Sequence, residues 1–370
     1  MQEVPDQGND EHTLIGFTNE LRATVGRGGF TGRRCVIALP RDQVSFQSIR
    51  LPKMPPAEMK QACLWEAASR FGVKPEDLIV DYIATGANLL AQDKQEEVIL
   101  ITASRPEIKP WLDAILNAGL RPIAAETKFT ALARFFSRRV RRESDRDRVR
   151  AIVEIGRRGG VVMVLRGNQI AFCKTLEIGG EQFDQAVADH LELDLPAAAD
   201  LRLSRLSQKR PTPNPEDQTT LDEGESDTDR VVYEAVRPLL YALIKEVAVC
   251  LRYYGVTFRG QPPEIMILTG SDAREPYLAE IMQRACQVPV RADDEMETLD
   301  LLRPELGSLL SRSAGSISGW AAAAGLSVRG LSDRHRRTSD PGKTTPHPDE
   351  PNRTRKSDGS PSTISQGVAV

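Results

Sequence analysis

The residue types able to do chemistry are few and scattered in this chain. Its five cysteines, Cys35, Cys63, Cys173, Cys250 and Cys286, are odd in number and widely spaced. No CxxC pair occurs, so neither a zinc site nor a disulfide framework is signalled, and reduced thiols are the plain expectation. Of the four histidines (His12, His190, His335, His347), only His190 falls in a stretch with folded character. A histidine triad or a His-rich metal site is left without members. The glycine-rich stretch Gly26–Gly32 (GRGGFTG) invites a phosphate-loop reading. A dinucleotide fingerprint needs a strand before it and a helix after it, whereas here a helix-like segment precedes and a strand follows. The GxxxxGK[ST] pattern of a Walker loop occurs nowhere, so a connecting loop is expected at 26–32. Glu154 ends an apolar stretch next to a glycine turn. A charge held there must face water, a cation or a phosphate–metal group.

Between Arg134 and Arg150 lie eight arginines, with Glu143, Asp145 and Asp147 interleaved. An anionic-lipid or nucleic-acid patch is one reading. The interleaved acids favour a solvated helix end laced with i,i+3 and i,i+4 pairs. The whole chain balances 49 Lys+Arg against 52 Asp+Glu, a net charge of −3, which speaks against a dedicated nucleic-acid binder. Its 370 residues suggest two or three domains, and 40% hydrophobic content can build real cores. No run approaches the roughly 18 apolar residues of a spanning helix, and the polar start MQEVPDQGND is no signal peptide. The expectation is a soluble chain whose membrane contact runs through a partner.

These residues need elements to hold them. An α/β unit is expected between Cys35 and about Leu120. Its strands are Cys35–Leu39, Val44–Leu51, Leu78–Ala84 and Val98–Ser104. Its helices are Pro55–Phe71, with Met59, Cys63, Ala67 and Phe71 on one stripe, and Glu107–Ala118, stopped by Gly119. A three-stranded meander follows: Ala151–Ile155, Val161–Leu165 and Gln169–Ile178, turning at glycines. Gly179-Gly180 then leads into a helix over Glu181–Leu191. Gln208–Asp229, with three prolines and an acidic run, reads as a flexible insertion. A long helix over Arg230–Tyr254 carries the stripe Val236, Leu240, Leu243, Val247, Leu251. Strand Glu264–Leu268, a Thr-Gly-Ser-Asp loop, helix Glu275–Cys286 and a small-residue helix Ser316–Leu326 complete the pattern. From Leu331 onward the composition is that of a disordered tail.

Three stretches carry a resemblance. They are Leu39–Tyr82 (LPRDQVSFQSIRLPKMPPAEMKQACLWEAASRFGVKPEDLIVDY), Val153–Val187 (VEIGRRGGVVMVLRGNQIAFCKTLEIGGEQFDQAV), and Val236–Val256 (VRPLLYALIKEVAVCLRYYGV) running into Ile265–Val290 (IMILTGSDAREPYLAEIMQRACQVPV). Over about Glu20–Gly330 the chain resembles the actin-like ATPase superfamily. Within it, the chain is similar to the PilM-like proteins of type IV pilus assembly, relatives of the division protein FtsA.

The resemblance implies an α/β, ribonuclease H-like, two-lobed actin-type fold with an inserted small α/β subdomain, the first strands of lobe one missing. The implied partition is an N-terminal remnant (1–34), the inserted subdomain (35–119), lobe one (120–207), the acidic insertion (208–229), lobe two with a closing helix (230–330) and a tail (331–370). It also implies a nucleotide site made of Glu154, Gly156, Gly160, Gly179, Gly180, Arg202, Gly270 and Ser271. Several of these depart from the family pattern. Glu154-Ile155-Gly156 replaces Asp-x-Gly, Gly160 stands where a hydroxyl residue belongs, and Ala199-Asp200-Leu201-Arg202 replaces Glu-x-x-Lys. ATP and Mg2+ binding is therefore expected to be weak or absent, and hydrolysis poor or absent.

The implied work is that of a cytoplasmic adaptor, peripheral to the inner membrane. It holds the N-terminal peptide of a PilN-like membrane protein beside the inserted subdomain, among other pilus assembly proteins, with no nucleic acid and no span of its own. Two alternatives stay open: a working actin-fold ATPase or sugar-kinase-like enzyme, and a type II secretion L-type cytoplasmic module.

Overall fold

The computed structural model describes residues 11–30, 32–86, 94–137, 143–206, 227–258, 260–292 and 317–338. Helix α1 (Glu11–Arg27) lies on α3 (Arg105–Asn117), with the Phe17 and Trp111 rings edge-on at 5.2 Å. Strands β1 (Arg34–Ala38) and β5 (Arg121–Glu126) pair in parallel as a two-stranded sheet. A parallel pair needs a crossover, and everything from residue 39 to 120 supplies it.

The inserted unit sits inside that crossover. Strands β2 (Val44–Pro52), β3 (Leu78–Ala84) and β4 (Gln95–Ser104) form an antiparallel sheet in the order β2-β4-β3. Helix α2 (Pro56–Phe71) opens on Pro56, whose fixed φ and missing N–H suit the first helical position, and stops at Gly72 with φ +64°. Its buried Met59, Cys63 and Ala67 recur at spacing four, as the sequence predicts.

Side chains alternate across this sheet with period two. Ile49, Leu78, Val80, Val98 and Leu100 face α2. Phe46, Ile83, Ile99 and Ile101 face the other way, onto the rest of the protein. There Phe46 meets Phe129 of α4 (Lys128–Ser137), ring centroids 4.6 Å apart.

The main sheet is built from β6 (Val149–Gly156), β7 (Gly159–Arg166), β8 (Gln169–Leu176), β9 (Ile265–Thr269) and β10 (Val290–Ala292). Its order is β10-β9-β6-β7-β8, antiparallel through β6-β7-β8 and parallel through β6-β9-β10. Every residue of the central strand β6 is buried. Its odd positions, Val149 to Ile155, join a core with α5 (Gly180–Leu191) and α7 (Asp227–Thr257). Ile152, on the other face, joins α4 and α9 (Ala321–Thr338). Helices α6 (Leu195–Leu206) and α8 (Leu278–Cys286) flank α5 and α7.

Several expectations change. Residues 120–207 and 230–330 do not form separate lobes, because β6–β8 and β9–β10 share one sheet. The strand at Cys35 belongs with β5 rather than with the inserted sheet, because its hydrogen bonds go there. The helix before Gly119 belongs with α1, so the inserted unit is residues 44–104. The long helix begins at Asp227, inside the segment read as flexible. The closing helix runs on to Thr338, past the start of the expected disordered tail. The tail beyond it and most of the acidic insertion lie outside the described residues. The arginine run is broken: α4 ends at Ser137, and a short helical turn at Glu143–Asp145 precedes β6.

Candidate functional site

Glu154 faces α4 from near the end of β6. The apolar alternation of Ile152, Val153 and Ile155 fixes the strand in the core and carries Glu154 with it, 3% exposed. Its Oε1 accepts a hydrogen bond from Lys128 Nζ, which rises from the first turn of α4. Lys128 keeps 47% of its side chain in solvent, so the pair closes the mouth of a cleft. Gly156, Arg157, Gly270 and Ser271 line the same cleft, with Gly319 and Ala322 above, around a volume of about 170 Å³.

Close backbone approach draws these turns together. Gly270 has φ +106°, and a Cβ there would collide with the Ile155 carbonyl. Gly179 lies against the Gly156 carbonyl and the Gly159 amide, and Gly180 against the Asp272 carboxylate. Gly160 is pressed on the Glu154 carbonyl, which leaves no room for the hydroxyl residue of the family pattern. Seven of the eight predicted site residues thus meet in one region.

Arg202 borders this region through Asp272 but does not line the cleft. It is 0% exposed and spends its guanidinium on three carboxylates: Asp184 at 2.6 Å, Asp272 at 2.6 Å and Glu275 at 2.8 Å. Phe183 lies under it, ring centroid 5.7 Å away. Arg157 reaches the second oxygen of Asp184 at 2.5 Å, and Arg205 pairs with Asp229 at 2.8 Å. Ser271 Oγ donates to Asp272 Oδ2 at 2.7 Å. An arginine so enclosed is a structural tie between α5, α6 and the loop after β9, with no surface open to a sugar.

Sequence reasoning missed Lys128, Asp184, Asp272 and Glu275. A usable signal existed in α5, where Asp184 sits inside the stripe Phe183, Val187, Ala188. A charge within an apolar stripe announces a buried pair. Arg202 and Arg205 carry the same signal on α6, beside buried Ala198.

Burial is the largest influence on Glu275 and raises its pKa above 4.5, opposed by Arg202. The folded state therefore holds this proton more tightly than the unfolded chain. The associated stability is present below the unfolded-state pKa and is lost as pH rises through the raised one. Urea midpoints measured across this range should fall more steeply with pH for the parent than for Glu275→Gln. Equal slopes would show that Glu275 is not the titrating group.

A second polar cluster marks the boundary with the inserted unit. Glu126, at the end of β5, takes a bidentate pair from Arg134 at 2.7 and 2.6 Å, and Arg329 of α9 at 3.3 Å. Burial raises the pKa of Asp81 on β3, offset by the Tyr82 amide and by the charges of Lys60 and Arg329.

A Mg-nucleotide fits these residues poorly. The acid that would hold a metal-bound water is tied to Lys128, and the cleft is smaller than the about 300–1,000 Å³ usual for ligand pockets. Among the described residues no group of three His, Cys, Asp or Glu could hold a metal, and no helix is long and apolar enough to cross a membrane.

The five-stranded order, three strands antiparallel and two parallel, with turns converging on one cleft, is that of an actin-like fold. The family model described as Type IV pilus assembly protein PilM matches residues 7–210, more than half of the 370. The chain belongs to that family of pilus assembly proteins. A solved structure described as "PilM-PilN type IV pilus biogenesis complex" is similar over 90% of this chain and 89% of that one, with TM-score 0.70 and 23% identity. The ethanolamine utilization protein EutJ from Carboxydothermus hydrogenoformans covers 60% of each chain at 13% identity, with a TM-score of 0.39 that carries no argument. No curated protein matches.

Proposed function

We propose that this chain is a cytoplasmic adaptor of the type IV pilus assembly platform, peripheral to the inner membrane. It holds the N-terminal peptide of a PilN-like membrane protein and hydrolyses ATP weakly or not at all. The observation that carries this reading is the outer edge of β3, the last strand of the inserted sheet. No described strand pairs with that edge, whereas β2 at the opposite side lies against β8. A free edge of unpaired backbone groups takes an extended peptide as a further strand. The description of the similar solved structure as a complex with PilN supports the choice of partner. The Lys128–Glu154 pair and the small cleft support a site that cycles nucleotide weakly or not at all.

The test uses a labelled peptide from the cytoplasmic start of the PilN-like partner, followed by fluorescence anisotropy. The same peptide, N-methylated at alternate residues, should bind at least about tenfold more weakly, since each lost backbone bond is worth about 0.5–1.5 kcal/mol. Undiminished binding of the methylated peptide would remove edge pairing from the account. Calorimetry with Mg-ATP should show little or no turnover; tight binding with steady heat release would favour the ATPase reading instead.

A further inference from the structure

Helix α7 runs for 31 residues and buries one stripe, Val232 to Tyr254, in the main core. Its opposite face is open. From Glu234 to Val256 the exposed positions fall within an arc of about 160° at 100° per residue, and the face is about 30 Å long. That face is unusual in composition. It carries three bases, Arg237, Lys245 and Arg252, and a single acid, Glu234. None of the three bases forms an ion pair with a described residue. Between them stand Tyr241, Val249, Tyr253 and Val256, which are 54%, 49%, 48% and 75% exposed.

We propose that this face of α7 rests on an anionic lipid surface. Unpaired bases, tyrosines and aliphatic side chains sharing one helical face are the composition of interfacial helices, whose apolar side dips between headgroups while cations meet lipid phosphates. Charge complementarity selects the lipid. The chain as a whole is at −3, so the basic face is a local feature and not a consequence of a basic protein. An acidic protein partner would also meet the bases. The two tyrosines and two valines among them, spread along one helical face, fit a flat bilayer better than a pocketed protein surface. The contact is independent of the β3 edge and could act beside peptide capture, adding a second weak hold on the same membrane.

The experiment is co-sedimentation of the full chain with vesicles of phosphatidylcholine mixed with phosphatidylglycerol, and with vesicles of phosphatidylcholine alone. Binding is expected on the mixed vesicles, near zero on the neutral ones, and reduced by added salt. Each base near an anionic surface multiplies binding about fivefold, so Lys245→Gln with Arg252→Gln should weaken it about 25-fold. Val256→Asp probes the apolar part separately, and an unchanged thermal midpoint of each variant excludes misfolding. Three results overturn the proposal: no binding to the mixed vesicles, equal binding to both kinds, or binding untouched by the variants. Loss of binding to an acidic pilus protein in these variants, without any affinity for lipid, would reassign the face to that protein.

Discussion

Arg202→Ala is expected to destabilise the protein by about 3–5 kcal/mol, the cost of breaking a buried ion pair by removing one partner. Asp184, Asp272 and Glu275 would be left facing each other in a space with no water to solvate them. Removing Arg202 leaves Arg157 and Arg205 at the margins, each engaged with one of the acids. Arg202→Lys should recover only part of the loss, because an ammonium has no planar fork to serve three carboxylates at once. Urea unfolding followed by circular dichroism measures both variants. Burial already raises the pKa of Glu275 against the pull of Arg202, so with that charge gone protonation of Glu275 relieves the cluster. The gap between variant and parent should therefore narrow as pH falls. A change below about 1 kcal/mol, the range of ordinary surface substitutions and weak pairs, would mean the cluster is not a tie.

Phe129→Ala should cost about 3–5 kcal/mol by the same measurement, from lost burial and the cavity left behind. Phe129 is 2% exposed and sits where the outward face of the inserted sheet meets the main body. Its stacking on Phe46 would vanish with it. The effect should be unevenly distributed. Protease sites within residues 44–104 are expected to become accessible before those of the main sheet, since the lost contacts hold that unit in place. The proposed peptide edge on β3 belongs to the unit so loosened. Phe129→Leu, which keeps most of the volume, should restore both properties to near the parental level.

The sequence was informative where one signal dominated. Period-two runs and glycine turns located the β6-β7-β8 meander, and the spacing of Met59, Cys63 and Ala67 located α2. The convergence of the turns at 156, 179 and 270 was implied by the resemblance, and the structure shows it as close backbone approach at Gly179 and Gly270.

What failed was non-local. Sheet membership depends on which strand a segment finds, and nothing in Cys35–Leu39 states that its partner is 121–126. The strand at 121–126 and the helix Lys128–Ser137 were not assigned from sequence, because the alanines and the arginine run obscured both periods. Arg202 was misplaced for a related reason. Position in a motif suggested a ligand contact, while the carboxylates that enclose it come from two distant segments, α5 and the loop after β9.

The inserted sheet is apolar on both faces, and this bears on how the protein is made. Its first face is covered by α2 as soon as β4 has left the ribosome, since all of those residues lie between 49 and 100. The second face has no cover until Phe129, Ile152 and Met163 emerge, and Ile267 and then Ala321 join the same cluster more than a hundred residues on. At the usual pace of synthesis, about 5–20 residues per second, that leaves a greasy sheet waiting for several seconds. Chaperone dependence of the nascent chain should therefore peak between these two points of elongation.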